Sequence, residues 1–225
     1  DLDQLFSAAE TLGRQKPFPG KRLALLTNGG GVGVLATDRL IDLGGTLAAV
    51  SPGTLDKLNA ILPPTWSHSN PIDIIGDADP ARYAGALEAL LEDSENDAVL
   101  ILNVPTAVAG AADVARAVTS VVKRHRSKGY QQKPVFAAWI GEDPDSARVF
   151  EEARIPHFST EADAVRGFLQ LVRYREAQTE LMETPDNLPQ DFSPDTEAAR
   201  AIIAGVLAQN RRWLDPLEVN ALLRA

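Results

Sequence analysis

The stretch Arg22–Leu40, RLALLTNGGGVGVLATDRL, decides the fold predicted for this chain. It opens with Leu23–Leu26, a short apolar run that is typical of a buried strand. The glycines Gly29–Gly31 and Gly33 follow, and apolar residues then recur at helical spacing. The pattern therefore predicts a glycine-rich turn between a strand and the start of a helix.

Such a turn is suited to binding an anion. The first N–H groups of a helix lack internal partners and lie at the positive end of its dipole, and glycines let an anion approach them closely. The spacing departs from the Gly-x-Gly-x-x-Gly dinucleotide fingerprint, and it lacks the Lys and Ser/Thr of a nucleotide P-loop. Two readings stay open for Asn28–Gly33: a loop for a phosphate-sized anion, or a tight structural turn.

Strands and helices alternate along most of the chain. Five apolar strands are predicted, at Arg22–Thr27, Thr46–Val50, Asp97–Val104, Pro134–Ile140 and His157–Phe158. This pattern is typical of an α/β fold, a flavodoxin-like, doubly wound parallel sheet of strand order 2-1-3-4-5. Ligands of such sheets bind at the carboxyl ends of the strands, where the glycine loop lies.

The composition changes near residue 183. We expect one flavodoxin-like domain over residues 1–183, a Pro-rich linker over 184–194 and a C-terminal helical extension over 195–225. Its last helix has a strong start, because Asp215 caps it and Pro216 and Glu218 fill its first turn. Two short helices make little core, so we expect them to lead into a further domain.

The composition argues against several classes of partner and site. The 225 residues carry a net charge of −9, which argues against nucleic-acid and anionic-membrane partners. The basic cluster Lys123–Lys128 is predicted to be a solvated helix end. The absence of cysteine excludes disulfides and thiolate zinc sites and fits a reducing cytoplasm. No apolar run approaches the roughly 20 residues that span a bilayer.

Polar residues near the predicted carboxyl edge of the sheet are candidate pocket residues. They are Asn70 and Asp73 in an irregular segment, and Asn103 and Thr106 after the third strand. The alternative for each is a loop anchor or a strand-end cap. The three histidines have neither metal-ligand spacing nor triad partners, so we assign no metal site and no catalytic residue.

Three motifs carry a resemblance to a known family. Thr27–Asp38, Leu62–Asp73 and Leu214–Arg224 resemble, in order, signatures of the NDP-forming acyl-CoA synthetases, which are related to succinyl-CoA ligases. Among the domains of these enzymes, the chain is similar to the ligase-CoA domain, ahead of the ATP-grasp domain. Val165–Pro185 most resembles larger members fused to a GNAT-type acetyltransferase domain.

The resemblance implies a reaction: acyl-CoA, ADP and phosphate give the acid, CoA and ATP. CoA, ATP/ADP, phosphate and Mg are then substrates and ions of the full-length enzyme, and no cofactor is tightly held. The implied partners are CoA-binding, phosphohistidine and ATP-grasp domains of the same protein, and a homo-oligomer is compatible with this. The phosphorylated histidine lies upstream, so the isolated chain is expected to be inactive. The residues that would face the phosphohistidine are Asn28, Gly29, Gly30, Gly31, Val32 and Gly33.

Two other functions are compatible with the sequence. In the fused acetyltransferases, the synthetase-like part can be a non-catalytic acyl-CoA sensor that regulates the GNAT domain. A free-standing FMN or nucleotide binder is disfavoured, because no aromatic pair flanks a site for the flavin ring.

Overall fold

The computed structural model describes residues 2–16, 18–129, 132–141, 143–183 and 193–225. The chain divides into two compact units, Asp1–Met182 and Glu183–Ala225. Most of the linker predicted over residues 184–194 lies outside the described residues, which resume at residue 193.

The first unit is built on a parallel sheet. Its strands are β1 Arg22–Thr27, β2 Thr46–Leu47, β3 Ile72–Asp73, β4 Ala98–Asn103, β5 Val135–Trp139 and β6 His157–Phe158. The order is β2-β1-β4-β5-β6, with β3 paired to β1. Without β3, this is the predicted order 2-1-3-4-5, so the predicted fold is confirmed. Strand β3 is not predicted by the sequence, because it lies in the segment expected to be irregular.

One edge of β1 is shared by two short strands. Arg22 and Leu23 pair with β2, and Leu26 and Thr27 pair with β3. Between them, the side chain of Asn70 takes the place of a strand. Its Oδ1 accepts from the Leu25 N–H at 2.9 Å, and its Nδ2 donates to the Leu23 and Ala48 carbonyls at 3.0 and 2.9 Å.

Helices cover both faces of the sheet. The helices of this unit are α1 Leu2–Arg14, α2 Gly30–Asp42, α3 Pro52–Ile61, α4 Pro80–Glu92, α5 Ala111–Ser127, α6 Pro144–Glu152 and α7 Glu161–Met182. Strand residues alternate between the faces. Ala24 and Leu26 belong to the core under α3–α6, and Leu23 and Leu25 to the core under α2 and α7. The doubly wound arrangement follows from this alternation.

The second unit contains α8 Thr196–Ala208 and α9 Pro216–Arg224. The start of α9 is as predicted: Asp215 and Glu218 form a capping box, and Pro216 lies in the first turn. None of the helices in the described ranges is both long and apolar enough to cross a membrane.

Candidate functional site

The glycine loop forms an open helix N-terminus. Strand β1 ends at Thr27, and α2 begins at Gly30 after the N-cap residue Gly29. The N-cap makes no side-chain hydrogen bond, and the first turn of α2 holds no acidic residue. The first helical hydrogen bond runs from the Gly33 N–H to the Gly29 carbonyl at 3.1 Å. Among the described residues, the N–H groups of Gly30–Val32 thus have no acceptor, as the start of a helix dictates.

At two positions of the loop, neighbouring side chains leave no room for a Cβ atom. A Cβ on Gly29 would lie 2.7 Å from Val104 Cγ2, and one on Gly30 would lie 2.7 Å from Asp73 Oδ2. A Cβ on Gly31 would meet nothing within 4 Å. The loop is therefore tightly packed at its base, and Gly31 faces open space.

Asn28 fastens this base to the neighbouring strand. Its side chain is buried, donates to the Val104 carbonyl at 2.9 Å and accepts from the Val104 N–H at 2.8 Å. The Asn28 amide therefore holds the loop in position, and the open donors belong to the backbone that follows it.

Asp73 is the predicted pocket residue that the fold brings beside the glycine loop. Its Oδ1 accepts from the Ile75 N–H at 2.9 Å, while Oδ2 lies against Gly30. A carboxylate at this position faces the positive end of the α2 dipole. An anion bound at the loop would share that end with Asp73.

Asn70 and Asn103 serve the fold rather than an open pocket. The Asn70 amide is fully hydrogen-bonded to the sheet backbone, as described above. The buried Asn103 donates to the Tyr83 hydroxyl at 3.2 Å, which itself donates to the Leu102 carbonyl at 3.1 Å. Burial raises the pKa of Tyr83. Thr106 is half-buried in the loop that follows β4.

The histidines are held by local structure. The ring of the exposed His68 lies 3.0 Å from both Asn59 Oδ1 and the Pro64 carbonyl. Burial lowers the pKa of His125. His157 stacks on Phe150, with ring centroids 5.9 Å apart. Within the described ranges, no group of three or more His, Asp or Glu could hold a metal ion.

Comparison with known proteins gives a consistent result. A family model described as the Ligase-CoA domain matches residues 23–192. The chain is 35% identical over 191 residues to the ADP-forming acetate–CoA ligase I of Archaeoglobus fulgidus, covering 84% of this chain and 26% of that protein.

Solved structures are similar too. PH0766 from Pyrococcus horikoshii OT3 has a TM-score of 0.72 at 28% identity, covering 78% of this chain and 40% of that one. The acetyl-coenzyme A synthetase 1 of Ca. Korarchaeum cryptofilum, in complex with phosphate and ADP, has a TM-score of 0.70 at 28% identity. This match covers 82% of this chain and 40% of that one. The chain thus spans between about a quarter and two fifths of these relatives' lengths. It belongs to the ligase-CoA domain family of the NDP-forming acyl-CoA synthetases, as its sequence motifs predict.

Proposed function

We propose that this chain is the ligase-CoA domain of an ADP-forming acyl-CoA synthetase. In this proposal, the start of α2 holds a phosphoryl group carried by a histidine of another domain. The observation that carries it is the open N-terminus of α2, whose N–H groups at Gly30–Val32 have no acceptor within the described part of the chain. The similarity to ADP-forming acetate–CoA ligases supports the reaction class.

The geometry suits stabilisation of charge without covalent chemistry. A phosphoryl group in transfer spreads negative charge over its oxygens, and preorganised N–H donors and a helix dipole stabilise that charge. Such a site needs neither a lysine nor a nucleophile from this domain. The loop supplies only backbone donors, held in place by Asn28 and the close packing of Gly29 on Val104.

Asp73 gives the site a second property. Its carboxylate lies against Gly30 and competes with a bound phosphoryl group for the same dipole. We infer that it weakens the retention of inorganic phosphate and so favours release after transfer.

The full reaction needs the rest of the protein. In this proposal, the CoA-binding, phosphohistidine and ATP-grasp domains supply the CoA site, the reactive histidine and the nucleotide site. One relative was solved in complex with phosphate and ADP, which fits these substrates. Acetate is the acid in the names of several relatives, and we propose a small carboxylic acid here.

The test uses the longer protein that contains this chain. Incubation with acetyl-CoA, phosphate and ADP should form ATP, and phosphate should be found on a histidine as an acid-labile adduct. Other short acyl-CoA esters should be tried in parallel. Failure of every acyl-CoA to produce a histidine-linked phosphate would overturn the proposal.

The sensor function is the second candidate, favoured by the likeness of Val165–Pro185 to the acetyltransferase fusions. In a sensor the loop would be a scaffold remnant. Acyl-CoA would then bind the longer protein and change the rate of lysine acetylation by a GNAT domain, while no phosphohistidine would form.

A further inference from the structure

A large cavity lies at the opposite edge of the sheet from the glycine loop. Its volume is about 940 Å³, and its lining includes Arg22, Asp97 and Pro134, which lie at the amino ends of β1, β4 and β5. Six cationic side chains contribute to its described lining, and only one carboxylate does; the cations are Arg14, Lys16, Arg22, Arg126, Lys133 and Arg154. This excess of positive charge stands out on a chain of net charge −9.

Arg22 and Lys133 are held by nearby groups of the fold. Arg22 donates to both carboxylate oxygens of Asp97, and its Nη1 lies 3.3 Å from Glu95. Lys133 donates to the carbonyls of Leu90 and Asp93 near the end of α4. Cations at helix C-termini are expected, because the last carbonyls there lack partners.

Arg126 and Arg154 are less completely paired. Arg126 Nη1 donates to the Ala153 carbonyl at 2.7 Å, and Arg154 Nη2 donates to the Gly13 carbonyl at 3.1 Å. No carboxylate in the described ranges contacts either guanidinium. Burial, and then the charge of Arg154, lower the pKa of Arg126. Each guanidinium has five N–H donors, so most of them stay available to an anion.

The cavity also offers a neutral polar group and an apolar wall. Asn96 is 2% exposed and donates to the Leu90 carbonyl, while its Oδ1 has no partner among the residues described. This oxygen has almost no solvent-accessible surface, so Asn96 forms part of the neutral wall of the cavity. Leu12 and Phe18 line the cavity with apolar surface.

We propose that this cavity binds a small organic phosphate. Its phosphoryl oxygens would accept from Arg126 and Arg154, because guanidinium groups match phosphate geometry. Its uncharged part would lie against Leu12 and Phe18. The site is separate from the start of α2, so it does not rest on the function proposed above.

The test is an NMR titration of the 225-residue chain with ADP, with adenosine as the uncharged control. Amide signals at residues 13–15, 126–128 and 153–155 should shift with ADP and stay in place with adenosine. Arg126→Gln and Arg154→Gln should each weaken ADP binding by about tenfold, the loss of a charge-assisted pair. Arg116→Gln removes the same charge from an exposed site on α5 and should have no effect.

Two further variants separate binding from folding and from the glycine loop. Lys16 is exposed and makes no hydrogen bond or ion pair with another described residue, so Lys16→Gln should weaken ADP binding several-fold at unchanged melting temperature. The shifts at residues 13–15, 126–128 and 153–155 should persist in Gly31→Asp, which alters the other edge. The proposal is overturned if ADP shifts no signals at millimolar concentration, shifts only residues 29–33, or binds the Arg126 and Arg154 variants as tightly as the Arg116 variant.

Discussion

The two edges of the sheet expose backbone groups of opposite partial charge. At the carboxyl edge, the start of α2 presents open N–H groups and needs no cationic side chain to attract an anion. At the amino edge, helices α1, α4, α5 and α6 end with carbonyls that lack partners within the helix. Arg126, Lys133 and Arg154 donate to carbonyls at these helix ends. The comparison teaches that basic residues do not mark the proposed phosphoryl site, since the parallel topology itself sets the sign of the partial charge at each edge.

The largest expected effect concerns Asn70, the neutral side chain that takes the place of a strand beside β1 between β2 and β3. Asn70→Ala should lower the free energy of unfolding by roughly 2–4 kcal/mol, because three backbone groups of the sheet lose their partner. The loss, measured by urea denaturation, should be the same at pH 5 and pH 8. Ser69→Ala is the control, since the exposed Ser69 hydroxyl has a single hydrogen bond within the described part of the chain, to the Ser67 carbonyl. Equal stability of the two variants would contradict this role of Asn70.

At the amino edge, stability should depend on pH. Burial alone would raise the pKa of Asp97, but hydrogen bonds from Arg22 outweigh it and lower the pKa. The stabilisation is therefore present above the unfolded pKa of about 3.9 and is lost as the pH falls through the lower folded value. Asp97→Asn should cost about 1–3 kcal/mol at pH 7 and progressively less below pH 4.

The matched control for this variant is Asp145→Asn. The exposed Asp145 lies 3.6 Å from Arg148, a geometry that contributes at most about 1 kcal/mol. If the Asp97→Asn cost were the same at pH 7 and at pH 2.5, the ionic description of the amino edge would be wrong.

The smallest expected effect tests the competition between Asp73 and a bound anion. Asp73→Asn should raise the affinity of the chain for inorganic phosphate several-fold, because a like charge beside the start of α2 is removed. Folding stability should change little, since the Asn Oδ1 can still accept from the Ile75 N–H. Phosphate titration by NMR measures this, and weaker binding would instead make Asp73 part of the anion site.

Much of the fold follows from local sequence patterns. Apolar runs predict the five main strands, and Ser51, Asp79 and Asp215 cap helices that start at the following prolines. Strand β3 could not be predicted, because Ile72–Asp73 is only two residues long and follows a segment rich in turn formers. Its pairing depends on β1, which is distant in sequence.

In the candidate site, too, some features follow from local sequence and others depend on tertiary packing. The glycine spacing is local, so the open start of α2 could be predicted from the sequence. Asn28 binds Val104, which is 76 residues away, and Asn70 contacts residues up to 47 positions away, so their roles depend on tertiary packing.

At the amino edge, the burial of Arg126 could not be predicted from the sequence. The sequence predicts a solvated helix end for Lys123–Lys128, yet Arg126 is half-buried and contacts Ala153. The turn after α6 covers it, and no pattern within α5 carries that information.

The most direct test of the central claim is Gly31→Asp in the longer protein that contains this chain. Because a Cβ at Gly31 meets nothing within 4 Å and a carboxylate in the first turn favours a helix, the melting temperature should be unchanged or raised. The carboxylate would occupy the dipole end that the phosphoryl group needs, so histidine phosphorylation should fall by at least about a hundredfold. Gly31→Asn, of the same size but neutral, should retain most of the activity. Phosphorylation at the original rate in Gly31→Asp would contradict the account.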